Sequence, residues 1–284
     1  MSRTRTTEPF STAFQHAASP ARSGRLTISF RLWLTLFLGS NIATLTLLGL
    51  QHYFLALVSF LLPAPWYTFQ ILNASARGLG PAVTRFTTSR REVWLTIDDG
   101  PDPESTPKIL DLLDAHGARA TFFLIGDKVQ RHPELVTEIL RRGQTIGNHT
   151  QTHPKFMFWM ASAKKTSAEI DTCTDTLHAA GAGNTRWFRS PAGLRNPSLH
   201  AQLAQRNLDL ILWSARGYDT VCRDASKVIA RITNDLRPGA ILLIHENQPC
   251  ADLRLELYTE LFALLAREGY SCVIPSHDAL VRNA

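Results

Sequence analysis

No two of the chain's four cysteines, Cys173, Cys222, Cys250 and Cys272, form a CxxC pair. That spacing argues against a zinc knuckle and leaves free or buried thiols, in keeping with a reducing compartment. No internal repeat is present. A net charge of +6 invites a nucleic-acid reading, yet no basic motif interleaved with aromatics occurs. The most telling absence is of charge itself. Between Leu32 and Ala76 there is no Asp, Glu, Lys or Arg.

That uncharged run of 45 residues would make a single helix of about 68 Å, more than twice the hydrocarbon thickness of a bilayer. It divides into two halves. Leu32–Leu50 reads as one transmembrane helix, and Gln51 and His52 interrupt the run. Tyr53–Leu72 is apolar but carries Pro63 and Pro65, so it crosses as a kinked helix or lies in the interface, where Trp66 and Tyr67 are at home. Arg3, Arg5, Arg22, Arg25 and Arg31 precede the run; Arg77, Arg85, Arg90 and Arg91 follow it. The long polar leader, the length of the run and the lack of a small-residue cleavage site argue against a signal peptide. Residues 1–31, rich in Ser, Thr and Arg, are expected to be a disordered basic tail, and residues 77–91 a linker. Positive charge on both flanks favours a hairpin in the cytoplasmic (inner) membrane with the remaining domain on the cytoplasmic side.

From Glu92 the pattern becomes alternating strands and helices. Strands are predicted at Glu92–Asp99, Ala120–Ile125, Gln144–Gly147, Arg186–Arg189, Leu208–Trp213, Ala240–His245 and Ser271–Ile274. Helices are predicted from Thr106, with Thr106 as cap and Pro107 in the first turn, and over Pro133–Arg142 and Ala163–Ala180. Repeated βα units imply an α/β domain with a mostly parallel sheet or a barrel, and residues 92–284 are long enough for one such domain.

Polar residues gather at the predicted strand ends, where barrel enzymes place functional side chains. Asp98 and Asp99 end the first strand in Thr96-Ile-Asp-Asp-Gly-Pro101. Neighbouring strand residues point to opposite sides, so the two carboxylates should differ in role; turn chemistry accounts for Asp-Gly-Pro equally well. His149 and His153 stand four apart, a metal-ligand spacing that puts both imidazoles on one face of a helical turn. An aspartate added to them makes a two-histidine, one-carboxylate set suited to zinc or another first-row divalent ion. Arg189 lies among Trp187 and Phe188, and burial there would demand a carboxylate partner. His245 closes the apolar run Ala240-Ile-Leu-Leu-Ile.

These motifs resemble, in order, those of the polysaccharide deacetylase family, also called the NodB-homology domain or carbohydrate esterase family four. Thr96–Pro101 matches the first motif with Ile97 for phenylalanine; His149, Thr150 and His153 match the second; Arg189 and Pro191 the third; Leu243 and His245 the fifth. The resemblance covers residues 92–280 and implies an irregular (β/α) barrel and removal of an N-acetyl or similar small acyl group from an amino sugar in a polysaccharide or lipid-linked glycan. It implies that Asp99, His149 and His153 hold one divalent ion, zinc first and cobalt, manganese or nickel as alternatives. It makes Asp98 the general base, paired with Arg189, and His245 the general acid. Asp219 would raise the pKa of His245. The backbone N–H of Ala192 would serve the oxyanion, and Trp213 and Leu243 would line the acyl pocket. Thr150 would hydrogen-bond nearby or cap a turn. Two departures stand out. Ala192 replaces a tyrosine, and the fourth motif keeps only Asp219, with Arg216 and Thr220 for an aspartate and a tryptophan. Two other readings remain: a deformylase or amidase of the same fold acting on another small amide, and a non-catalytic glycan-binding membrane protein.

Overall fold

The computed structural model describes residues 27–246 and 251–282. The expected disordered tail therefore lies outside the described residues up to position 26, as does Cys250. Helix α1 (Ile28–Gly49) takes in Arg31, opens on Thr27, whose hydroxyl accepts from Phe30 N–H, and ends before a turn at Gln51. After α2 (Tyr53–Leu61) the chain bends at Pro63 into α3 (Ala64–Leu72). A proline removes a backbone donor and crowds the preceding turn, and that is the bend the sequence predicts. Ile28–Gly49 and Tyr53–Leu72 are long and apolar enough to cross a membrane by length and composition.

Helices α1 and α2 pack as an antiparallel hairpin through small residues. Ser40 and Ala56 are buried, Ser59 Oγ donates to the Ser40 carbonyl at 2.9 Å, and Thr44 Oγ1 reaches the Ala56 carbonyl at 3.4 Å. Most leucines and phenylalanines of the hairpin point outward, whereas Phe30 is buried against the domain with Leu79 and Leu194. At its base Trp33 donates to the Pro63 carbonyl at 2.8 Å and stacks on Trp66 and Tyr67.

The domain that follows contains β1 (Val83–Phe86), β2 (Glu92–Gly100), α4 (Thr106–Ala115), β3 (Ala120–Leu124), α5 (Gly126–Arg131), α6 (Pro133–Arg141), β4 (Thr145–Asn148), α7 (Ala163–Ala179) and β5 (Trp187–Phe188). Then come α8 (Leu199–Gln205), β6 (Asp209–Leu210), β7 (Ala215–Arg216), α9 (Ala225–Asp235), β8 (Ile241–His245), α10 (Ala251–Arg267), β9 (Ser271–Cys272) and β10 (Leu280–Arg282). The main sheet runs β6-β5-β4-β3-β2-β8-β7, every pairing parallel, with β9 on β2. It is a curled half-barrel, and β6 and β7 leave a seam. There β1, paired antiparallel with β10, bridges Val83 to Ile211 and Arg85 to Ala240. Residues 77–91, expected as a linker, thus hold a strand of the domain.

Strand β2 is buried on both faces, as a central parallel strand requires. Val93, Leu95 and Ile97 face the helices; Trp94 packs in the inner cluster with Phe123, Ile211 and Ile241. Each such large apolar side chain contributes roughly 1.5–3 kcal/mol by burial. Predicted strands and helices fall within a few residues of those observed. Short α5 is an element the periodicity did not signal. Thr106 is not the cap of α4. Ser105 holds that position, and the Thr106 hydroxyl turns instead to Glu246.

Candidate active site

Residues from five strand ends meet at one rim. Asp98 is the register partner of His245 and of Phe123, and Asn148, just before His149, pairs with Phe188, just before Arg189. Regular alternation would send Asp99 away from Asp98. A register shift between Asp98 and Gly100, with φ of 70° at Asp99, turns its carboxylate back toward the same histidines. The His149–His153 segment departs from expectation in a similar way. It is a turn and not a helix, with φ of 69° at Thr150 and 50° at His153, and Thr150 Oγ1 accepts from His153 N–H at 3.2 Å. Left-handed backbone in residues other than glycine costs on the order of 1–3 kcal/mol each. Asp99, Thr150, His153 and Ala192 all carry it.

The donor atoms of Asp99, His149 and His153 lie within 4.8 Å of one another. Asp99 Oδ1 is 3.3 Å from His149 Nε2 and 3.2 Å from His153 Nε2. His149 Nδ1 sits 2.8 Å from the Arg189 carbonyl, so Nδ1–H donates there and the ring is held with Nε2 facing the aspartate. Burial, together with the neighbouring His149, pushes the His153 imidazole down to about 3. Burial opposes the Asp99 charge, but the hydrogen bond and charge of His149 prevail and hold its carboxyl well below the usual range. Two imidazole nitrogens and a carboxylate oxygen, all converging, fit a divalent cation that prefers nitrogen and oxygen.

Beside this cluster stand two ion pairs. Arg189 is fully buried and donates to Asp98 Oδ1 at 2.6 Å, to Thr96 Oγ1 at 2.8 Å and to the Ile211 and Leu212 carbonyls, with its guanidinium over the Phe123 ring. Asp98 Oδ2 lies 3.7 Å from His149 Nε2. In the second pair, Asp219 accepts from the His245 backbone N–H at 2.7 Å and meets its Nδ1 at 3.0 Å. Burial alone would lower the His245 pKa; the charge and hydrogen bond of Asp219 outweigh it and raise it.

Of the other predicted residues, Ala192 is exposed on the turn Pro191–Gly193, and Leu243 is buried on β8, register partner of Thr96 and Arg216. Trp213 is half-buried, near the Arg189 guanidinium and against Gly193, where a Cβ would meet the indole at 2.5 Å and φ is 71°. Glycine is therefore required at 193.

The sequence reading missed a lower layer. Glu246 N–H donates to the Asp98 carbonyl at 2.8 Å, and its carboxylate accepts from Ser105 and Thr106. Burial pushes that carboxyl up to about 7 against these hydrogen bonds. Lys128 donates to the Asp99 carbonyl at 2.6 Å. Glu246 adjoins His245, which could have flagged it; Lys128 sits on α5, the unsignalled helix. Arg195 was missed as well. It is buried and donates to the carbonyls of Gln70, Asn73 and Ala76, so it clamps the end of α3 to the loop that carries Ala192. Burial pushes its pKa down to about 10.

Residues 85–211 match the polysaccharide deacetylase family model. A chitooligosaccharide deacetylase of Bradyrhizobium sp. (strain ANU 289) is 33% identical over 165 residues, which are 58% of this chain and 74% of that protein. The crystal structure of a peptidoglycan N-acetylglucosamine deacetylase superposes with a TM-score of 0.63 at 27% identity, covering 67% of this chain and 88% of the other. A CE4 family pseudoenzyme from Bacillus anthracis superposes with a TM-score of 0.60 at 26% identity, covering 66% and 65%.

Proposed function

The chain belongs to the polysaccharide deacetylase family and is a hydrolase of non-peptide carbon–nitrogen bonds, and from that premise we propose that it removes a small acyl group, acetyl first, from an amino sugar in a polysaccharide or a lipid-linked glycan. The observation that carries this reading is the convergence of a three-donor cluster with a carboxylate held by an arginine and a histidine held by a carboxylate. Asp99, His149 and His153 would hold a divalent ion, zinc first. Such an ion lowers the pKa of water from 15.7 towards about 7 and polarises the acyl carbonyl.

The chain's own residues divide the remaining work. Asp98 accepts the proton of the attacking water. Arg189 keeps that carboxylate ionised and pointed. The N–H of Ala192 donates to the developing oxyanion. His245, protonated through Asp219, donates to the leaving amine. Trp213 and Leu243 bound the space for the acyl group. A pseudoenzyme among the structural neighbours makes a non-catalytic role the natural rival, but the full acid, base and ligand set in this chain favours catalysis.

The hairpin and the positive charge on both of its flanks support an anchor in the cytoplasmic membrane with the catalytic domain on the cytoplasmic side. A reporter fused after Ala284 tests that placement: alkaline phosphatase activity outside the membrane would overturn it.

The chemistry is tested by acetate release from an N-acetylated chitooligosaccharide, with elemental analysis of the same preparation. About one divalent ion per chain is expected, and chelation should abolish release. Full activity in protein shown to be metal-free would refute the mechanism.

A further inference from the structure

The seam between β6 and β7 holds a cleft of about 780 Å³ that the proposed chemistry does not use. Its lining includes Arg77, Arg85, Arg216 and Arg237, with one carboxylate, Asp235. Arg85, Arg216 and Arg237 have no carboxylate partner and no side-chain hydrogen bond among the described residues, and Arg216 Nε is buried without an acceptor. Four guanidiniums share one carboxylate, and Arg216 lies over the Trp213 and Tyr218 rings, so the cleft carries an excess of positive charge that favours an anion. Arginine's planar fork suits phosphate in particular.

Two walls of the cleft give its setting. On one side stands Trp213, the indole that packs on Gly193 and lies near Arg189 in the candidate active site. On the other stands α3, with Phe69 and Leu72 exposed. That helix continues the apolar hairpin and is clamped by Arg195 to the loop bearing Ala192. Three residues after His153 the chain exposes a further apolar group, Phe156, Met157 and Met160, while Trp159 packs on Tyr67 of α3. Apolar surface thus borders both sides of the rim, and the cleft runs along the seam from Trp213, near that rim, to Arg85 and Arg237 at the start of β8.

We propose that this cleft binds the phosphate of an amino-sugar chain carried on a membrane lipid. Arg85, Arg216 and Arg237 hold the phosphate, the lipid tail leaves along Phe69 and Leu72, and a chain of two or more sugars passes Trp213 to reach Asp98, which is level with the far end of β8 from Arg85. This rests on the deacetylase reading above and names its substrate class.

The test uses the full chain in zwitterionic micelles, where bulk surface charge plays no part. Three substrates carry the same short chain of N-acetylated amino sugars: a polyprenyl-phosphate conjugate, a nucleoside-diphosphate conjugate and the free chitooligosaccharide. Arg85 and Arg237 are exposed, so the double variant Arg85→Ala/Arg237→Ala should fold. It should raise KM for the polyprenyl-phosphate substrate about tenfold or more with kcat kept, and leave chitooligosaccharide kinetics unchanged. An unchanged KM for the lipid substrate, or an equal rise for the chitooligosaccharide, overturns the proposal. Use of the nucleotide conjugate as efficiently as the lipid conjugate, with the same dependence on the arginines, overturns the lipid source. If the wild type hydrolyses none of the three, the deacetylase reading fails separately. Equilibrium binding of polyprenyl phosphate then judges the cleft: about tenfold weaker binding by the variant upholds it, and equal binding overturns it.

Discussion

Two ion pairs stand side by side at the strand ends, and they are built in opposite senses. In Asp98–Arg189 the cation serves the anion: five interactions immobilise the guanidinium, and Asp98 keeps one oxygen toward His149. In His245–Asp219 the anion serves the cation: Asp219 spends both oxygens on the backbone and ring of His245, whose Nε2 is left for other work. The first pair is locked inside the barrel, and the second lies at its edge. One arrangement favours a permanent base, the other an acid whose proton can be exchanged.

Four substitutions would break or sharpen this contrast. Asp98→Asn keeps the hydrogen bond to Arg189 but removes the base. It should cost roughly 10²–10⁴ in kcat with metal content unchanged by elemental analysis; loss of metal with residual rate would mean that Asp98 and Asp99 have exchanged roles. His245→Ala should cost a similar factor on sugars with poor leaving amines and less on activated ones, read from kcat across a leaving-group series. Arg189→Met strands the Asp98 charge inside the protein and should lower stability by about 3–5 kcal/mol, measured by denaturant unfolding. An unfolding midpoint like the wild type's would show the arginine to be dispensable to the fold.

Asp219→Asn should have the smallest effect at neutral pH and the clearest signature. His245 has its pKa raised above the ordinary 6.5 by Asp219. The imidazolium is therefore the form favoured by folding. The stability it contributes is fully present below pH 6.5 and is lost as pH rises through the raised value. Activity that needs the acid falls over the same upper window. Removing the Asp219 charge should move that alkaline limb of kcat to lower pH and leave the acid limb in place. An unmoved alkaline limb would separate His245 from the acid step.

Most of this contrast could be read in the sequence for a physical reason. Asp98, Asp99, His149, His153, Arg189 and His245 each fall in or just beyond a run of strand-forming residues, so local pattern alone carries them to one rim. Their convergence on common oxygens could not be read, because it depends on left-handed backbone at Asp99, Thr150 and His153. Helical spacing picked out the two histidines that converge on Asp99, but a left-handed turn and not a helix brings them there. The arginine cleft escaped notice because Arg85, Arg216 and Arg237 belong to segments far apart in the chain, joined only where the sheet fails to close. Arg195 escaped for a similar reason, since its partners are carbonyls, which carry no sequence signal.

The pairing of β1 with β10 sets an order of events in time. Val83 follows closely on the apolar hairpin, yet its ladder partner is Arg282, at the far end of the domain. During synthesis the hairpin emerges first, and β1 then waits, unpaired, while the rest of the chain is made. Closing so long a loop is slow relative to local helix formation. The half-barrel can curl before that moment, but the strand that bridges its seam is latched only when β10 arrives. A chain interrupted before β10 would keep the edges of its sheet open, and completion of β10 is what closes the seam beside the hairpin.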